Sequence, residues 1–348
     1  MMRLTLVAVI LIVVIGAVAA VVGMRHYEAF EASPVLEEGE AVMLEIPAGT
    51  SWPEIVQRVE AAEIVETGLL FDIWGRRSGL AEEVRAGSFY LQGPMELDEL
   101  AAILRRGGRA EEVVVTFPEG LTIFEIAHRV EEAGLGEAEE FLRLAREPSA
   151  YDWIPDRAES LEGYLYPDTY HFRTSATPRH VVERLLTRWQ AVSQELLDEY
   201  PEAFRELEES YEFDLHDLLT MASIVERESG VGSERSLISR VFYNRLDRGM
   251  QLQTDPTCVY GPDTYHLRPT RELCRDPLNR YSTYVIQGLP PGPIANPGRD
   301  ALRAALVPSD TPEAMQYLYF VARRDGTGEH YFSTNYADHR RAIDRYLR

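Results

Sequence analysis

Two carboxylates near the end of an apolar-faced segment are the strongest chemical signal in this chain. LHDLLTMASIVERESG (215–230) places Leu218, Met221, Ala222 and Val225 in one helical stripe and closes on Gly230, with Glu226 and Glu228 in the last turn. Two residues apart on a helix is about 200° around its axis, so the pair cannot share one cleft. One glutamate is expected to do chemistry and the other to be solvated or paired, and helical phase leaves open which. Ile224 and Val225 stand at contact spacing to Glu228 and would desolvate it, which raises a carboxyl pKa. An acid still protonated near neutrality suits general-acid catalysis.

The elements that must position such an acid follow from the rest of the pattern. Residues 4–24, LTLVAVILIVVIGAVAAVVGM, carry no charge and at helical rise would cover about 30 Å, so residues 1–24 are expected to be a transmembrane anchor. A cleaved signal peptide is the rival, since residues 17–20 offer small side chains, but its apolar stretch is normally about 7–15 residues. Arg3 before the stretch nearly balances Arg25 and His26 after it, so charge specifies orientation weakly. Residues 25–40, with Ser-Pro and clustered acids, read as a solvated linker.

A folded module is expected over residues 41–112. VMLEIP (42–47) reads as a strand, and WPEIVQRVEAAEIV (52–65) as a helix capped by Thr50 or Ser51. AGSFYLQG (86–93) reads as a second strand, and MELDELAAILRRGG (95–108) as an amphipathic helix closed by glycine. The phrase EIPAGTSWPEIVQRVEAA (45–62) returns as TFPEGLTIFEIAHRVEEA (116–133), with Pro47/Pro118, Gly49/Gly120 and Arg58/Arg129 in register. This is a strand, Pro-x-Gly turn and helix unit used twice, too few copies for a solenoid. Past Gly134 the pattern is mainly helical, and the last third, rich in Pro, Gly, Asn and Tyr, suits a loop-built groove.

Composition excludes some functions. The 57 acidic against 35 basic residues give a net charge of −22, every basic residue other than His is Arg, and no basic run occurs, so nucleic acid is not an expected partner. Cys258 and Cys274 lack metal-ligand spacing, so no zinc site is expected. In an oxidising compartment they could form a disulfide or remain two buried thiols.

Several long motifs occur together and in order: TFPEGLTIFEIA (116–127), LEGYLYPDTYHF (161–172), MASIVERES (221–229), VFYNRL (241–246), MQLQTDPTCVYG (250–261), YSTYVIQGLPPGPIANPG (281–298) and YLYFVARRDGTGEHYFSTNYADH (317–339). In these the chain resembles the YceG-like family of endolytic murein transglycosylases over nearly its whole length. Glu228-Ser229 also resembles the Glu-Ser pairing at a helix end in soluble lytic transglycosylases and goose-type lysozymes, whose single catalytic carboxyl occupies that Glu. The module at 41–112 is similar in arrangement to LysM, which binds N-acetyl sugars of wall glycan; a spacer without sugar contact is the alternative.

The resemblance implies an α+β chain: a transmembrane helix, a LysM-like module, and a mainly helical catalytic domain over 113–348 with a loop-rich groove. It implies a lyase that cuts the MurNAc-GlcNAc bond within nascent peptidoglycan strands, outside the cytoplasmic membrane. Glu228 would act first as acid and then as base, while the muramic acid 6-hydroxyl attacks its own anomeric carbon and leaves a 1,6-anhydro end. An ordinary glycosidase adds a second carboxylate, and the sequence offers none equally convincing. The matching loops nominate Gln253, Thr254, Asp255, Tyr260, Tyr284 and Asn296 for sugar contacts. No metal or cofactor is expected; the expected partners are glycan strands, the membrane, and peptidoglycan synthases with the elongation or division machinery. A hydrolytic muramidase and a non-catalytic wall-binding or division scaffold are the alternatives.

Overall fold

The computed structural model describes residues 2–108 and 112–347, with side chains from residue 14 onward. It divides into two compact units, residues 1–112 and 113–348.

In the first unit, α1 (Met2–Ala32) leads into β1 (Ala41–Ile46), α2 (Trp52–Ala61), α3 (Gly68–Arg77), α4 (Leu80–Glu83), β2 (Gly87–Gln92) and α5 (Leu97–Arg106). Strands β1 and β2 pair antiparallel, Ala41 opposite Gln92 through Ile46 opposite Gly87. The alternation that buries Leu44, Ile46, Phe89 and Leu91 puts Met43 and Tyr90 on the exposed face. Helices α2, α3 and α5 cover the buried face with Ile55, Val59, Phe71, Trp74, Leu100 and Leu104.

Two sequence expectations for the amino terminus are corrected. Among the described residues no helix is long and apolar enough to cross a membrane, and α1, expected as a transmembrane anchor, is not a candidate span. The side chains of residues 4–13 lie outside those described. The same helix then continues through Arg25, His26, Glu28 and Glu31. Part of the expected 25–40 linker is helical: residues 25–32 continue α1, with Tyr27 and Phe30 packed on the unit's core and the Arg77 guanidinium 5.0 Å from the Tyr27 ring centre.

The second unit runs β3 (Glu112–Thr116), α6 (Ile123–Glu132), α7 (Ala138–Ala145), β4 (Thr169–Arg173), α8 (Pro178–Glu199), α9 (Pro201–Tyr211), α10 (Leu215–Glu228) and α11 (Arg235–Asp247). The loop-rich remainder holds α12 (Asp255–Cys258), α13 (Arg271–Cys274), α14 (Arg299–Leu306), β5 (Tyr319–Ala322), β6 (His330–Ser333) and α15 (Tyr336–Tyr346). β3 pairs with β4 and β5 with β6 in separate two-stranded sheets. Helix α10 runs through the core: Leu218, Leu219, Met221, Ala222, Ile224 and Val225 are all fully buried.

The repeated phrase folds alike in both places. Gly49 and Gly120 adopt φ of +82° and +78°, a left-handed turn that favours glycine. In the helix that follows each, a glutamate at the third position accepts the cap residue's N–H, Glu54 from Ser51 at 2.9 Å and Glu125 from Thr122 at 2.8 Å.

Candidate active site

Helix α10 starts firmly and ends abruptly. Asp214 caps it, its carboxylate accepting the N–H groups of His216 and Asp217 at 2.8 and 3.1 Å. At the other end Ser229 turns to extended backbone and its hydroxyl donates to the Val225 carbonyl at 2.6 Å. Gly230 follows because nothing larger fits: an added Cβ would stand 2.4 Å from the Gly328 carbonyl oxygen. The Glu-Ser-Gly sequence thus brings the loop between β5 and β6 against the end of α10.

The three residues before Ser229 take different partners. Glu226 is a buried anchor: its carboxylate accepts from the Arg235 guanidinium at 2.9 Å and the Gly298 N–H at 3.1 Å. Arg227 donates to the Gly120 carbonyl at 2.9 Å, tying α10 to the Pro-x-Gly turn before α6. Glu228 points into a cavity of about 350 Å³ that Arg245, Gln253, Asp255, Tyr284, Tyr319, Tyr336 and His339 also line. The sequence left Glu226 as solvated or paired, and it is paired.

Burial, and secondarily the negative charge of Asp255, push the Glu228 carboxyl up to about 8; an N–H donated by the Asp255 backbone and the Arg245 cation oppose the shift. The Arg245 cation is the smallest of these influences. It is buried, donates to the carbonyls of Leu318 at 2.7 Å and of Leu252, and lies 5.3 Å from the Tyr319 ring centre. Glu228 is therefore a protonated acid at neutral pH in a polar cleft.

The nominated sugar-contact residues divide. Gln253, Asp255 and Tyr284 join Glu228 in the cavity, with the Tyr284 hydroxyl donating to Asp255 at 2.7 Å. Gln253 is held at φ +51°, a conformation a non-glycine side chain rarely keeps without support; its N–H donates to the Thr283 carbonyl at 3.1 Å. Thr254 is buried beneath, where its N–H donates to the Thr283 hydroxyl at 2.8 Å beside Thr257. Cys258 and Cys274 are joined in a disulfide that ties α12 to α13.

Tyr260 and Asn296 lie around a different group. Glu162 is almost fully buried and accepts from the Ile123 N–H at 3.0 Å, the Asn296 amide at 2.7 Å and the Tyr260 hydroxyl at 3.2 Å. The Asn296 amide oxygen accepts from the Leu165 N–H at 2.9 Å. These donors favour the carboxylate, while burial outweighs them and pushes Glu162 up to about 8. Asn296, 1% exposed, is a bracket between the 161–166 and 294–298 segments and offers no free amide to a sugar.

Sequence reasoning did not single out Arg245, Tyr319, Tyr336 or His339. Their segments, VFYNRL and YLYFVARRDGTGEHYFSTNYADH, stood out as motifs, but nothing local marked these side chains as neighbours of Glu228. The β5–β6 hairpin is fixed there by Gly230 and by Glu234, whose carboxylate accepts from the His330 N–H at 3.0 Å and faces its Nδ1 at 2.8 Å.

Comparison with known proteins places this geometry in a family. The YceG-like family model matches residues 44–345. An endolytic murein transglycosylase of Bacillus subtilis is 30% identical over 321 residues, covering 88% of this chain and 85% of that protein. One of Streptococcus pneumoniae is 30% identical over 336 residues, covering 88% of this chain and 58% of that protein. The crystal structure of a yceG-like protein from Listeria monocytogenes superposes with a TM-score of 0.57 at 29% identity, covering 87% of this chain and 99% of that one. With its half-buried acid at the end of α10 and a family match from residue 44 to residue 345, the chain belongs to the YceG-like family.

Proposed function

We infer that this protein is an endolytic murein transglycosylase, a lyase that cleaves peptidoglycan glycan strands, with Glu228 as its acid and base. The observation that carries the reading is a carboxyl pushed up to about 8 inside a cavity at the end of α10. Protonated Glu228 gives its proton to the leaving glycosidic oxygen as positive charge grows on the muramic acid ring. The resulting carboxylate then takes the proton of that sugar's 6-hydroxyl as its oxygen bonds to the anomeric carbon. The bond to the leaving sugar breaks, a 1,6-anhydro ring forms, and no water is consumed. Tethering supplies the nucleophile at high effective concentration.

Asp255 supports this role for Glu228 without acting as a second catalyst: its charge favours the protonated acid and its N–H favours the later carboxylate. Gln253 and Tyr284 are the sugar contacts the cavity favours. The disulfide supports work outside the cytoplasm, where such bonds persist. The antiparallel β1–β2 pair flanking α2 and α3 supports a LysM-like first unit. Cuts within growing strands would end their elongation and put the protein beside peptidoglycan synthases.

A specific observation keeps one second reading in view. Asp255 sits close enough to Glu228 to perturb its proton, and two carboxylates at one glycosidic bond are what a hydrolase uses. Mass spectrometry of muropeptides released from purified peptidoglycan separates the two. Anhydro ends, one water lighter, are expected; reducing ends would establish the muramidase.

A further inference from the structure

One wall of the cavity is built by β5 and α15, and it is aromatic. The His339 ring lies flat against Tyr319, centres 5.1 Å apart and planes at 23°. Tyr336 stands 5.9 Å from Tyr319 and 6.3 Å from His339, 60% exposed. All three line the cavity that Glu228 lines.

His339 carries an anomaly. Its Nδ1 is buried and has no hydrogen-bond partner among the described residues. A buried N–H without an acceptor is rarer and more costly than an unused lone pair. The ring proton therefore belongs on Nε2, and Nδ1 is left as a bare lone pair. With Nδ1 shut off, Nε2 is the nitrogen available to the cavity. Burial, and the nearby Arg245 cation, keep the ring below its usual pKa and so neutral. Arg245 donates to backbone carbonyls through Nε and Nη1, and the neutral Nε2–H of His339 is an uncharged, uncommitted donor on this wall.

We propose that His339 is a substrate-binding residue of this site, donating from Nε2 to an uncharged oxygen of an N-acetylhexosamine ring that packs against the exposed Tyr336. The proposal rests on the transglycosylase reading and adds a specificity element to it. An uncharged donor matches acetamido carbonyls and hydroxyls, the acceptors that every ring of the polymer offers. The aromatic faces match the C–H faces of the same rings, as sugar sites commonly combine the two.

The test measures binding of soluble, uncrosslinked glycan strands to the full chain in a Glu228→Gln background, where turnover is removed, and steady-state cleavage in the wild-type background. His339→Phe keeps a ring against Tyr319 and loses the donor. It is expected to weaken glycan binding about tenfold and to raise KM more than it lowers kcat. His339→Gln, which restores an N–H at similar reach, should recover much of that loss, a rescue that a purely structural role would not produce. Tyr336→Ala removes an exposed ring and should weaken binding severalfold with an unchanged melting temperature. Binding by His339→Phe within twofold of its parent would overturn the proposal, as would a His339→Gln variant no better than His339→Phe. If the wild type itself released no anhydro ends, the transglycosylase reading would fall first, and this inference with it.

Discussion

The proton on Glu228 is a property of its surroundings, and each surrounding group can be altered. Asp255→Asn removes the nearby negative charge while keeping the N–H, so the Glu228 pKa should fall from about 8. Activity needs the protonated form and is lost as pH rises through that pKa, so the falling limb of the kcat profile should move to lower pH. A limb that stays in place would show that Asp255 does not set it. Glu226→Gln should behave differently. It leaves Arg235 without its 2.9 Å partner, although Glu119 and Asp300 stand 3.6 and 3.9 Å away. A loss of about 1–3 kcal/mol of stability is expected, measurable by urea unfolding, with a far smaller effect on kcat than Glu228→Gln. The sequence placed both glutamates in the last turn of one helix. Helical phase could not assign them, because what separates them is Arg235, Gly298 and Asp255, partners brought in from other elements; only the resemblance at Glu228-Ser229 pointed to Glu228. Asn296 and Tyr260 were opaque for the same reason, their bonds to Glu162 spanning 134 and 98 residues.

At the level of elements, local signals located much of the scaffold. The alternation over 42–47 and 86–93 matches β1 and β2, and the apolar stripe of 215–229 matches α10 at Leu215–Glu228. Hydrophobic pattern misled at α1, where the uncharged run read as a span is not a candidate span and its helix runs on to Ala32 with Tyr27 and Phe30 packed on a core. It was also silent on the β5–β6 hairpin, whose place depends on a contact between two glycines far apart in sequence. Gly230→Ala tests that contact. The Cβ, 2.4 Å from the Gly328 carbonyl, should force the hairpin loop away, costing about 1–3 kcal/mol and lowering kcat/KM by displacing Tyr319. Unchanged kinetics would mean that the hairpin is positioned otherwise. Cys258→Ser with Cys274→Ser opens a 16-residue loop and should cost about 3 kcal/mol, read as an earlier denaturant midpoint.

Over the whole molecule, two carboxyls with raised pKa make stability depend on pH in a defined direction. Glu228 and Glu162 both rise from an ordinary 4.5 to about 8 on folding. Between those values the folded chain binds more protons than the unfolded one, so stability falls as pH increases. A net charge of −22 adds self-repulsion once the remaining carboxylates ionise. Denaturant unfolding at pH 5 and pH 8 should show this fall, and Glu228→Gln should flatten it, since one of the two titrations is gone. An equal slope in that variant would mean Glu228 is not protonated in the folded protein. The same proton underlies the proposed chemistry, in which the substrate's own hydroxyl closes the reaction and water takes no part. Digestion of peptidoglycan in heavy-oxygen water tests this most directly. Wild-type protein should release anhydro-ended fragments without label and Glu228→Gln should release none, whereas labelled reducing ends, or undiminished release by Glu228→Gln, would contradict the account.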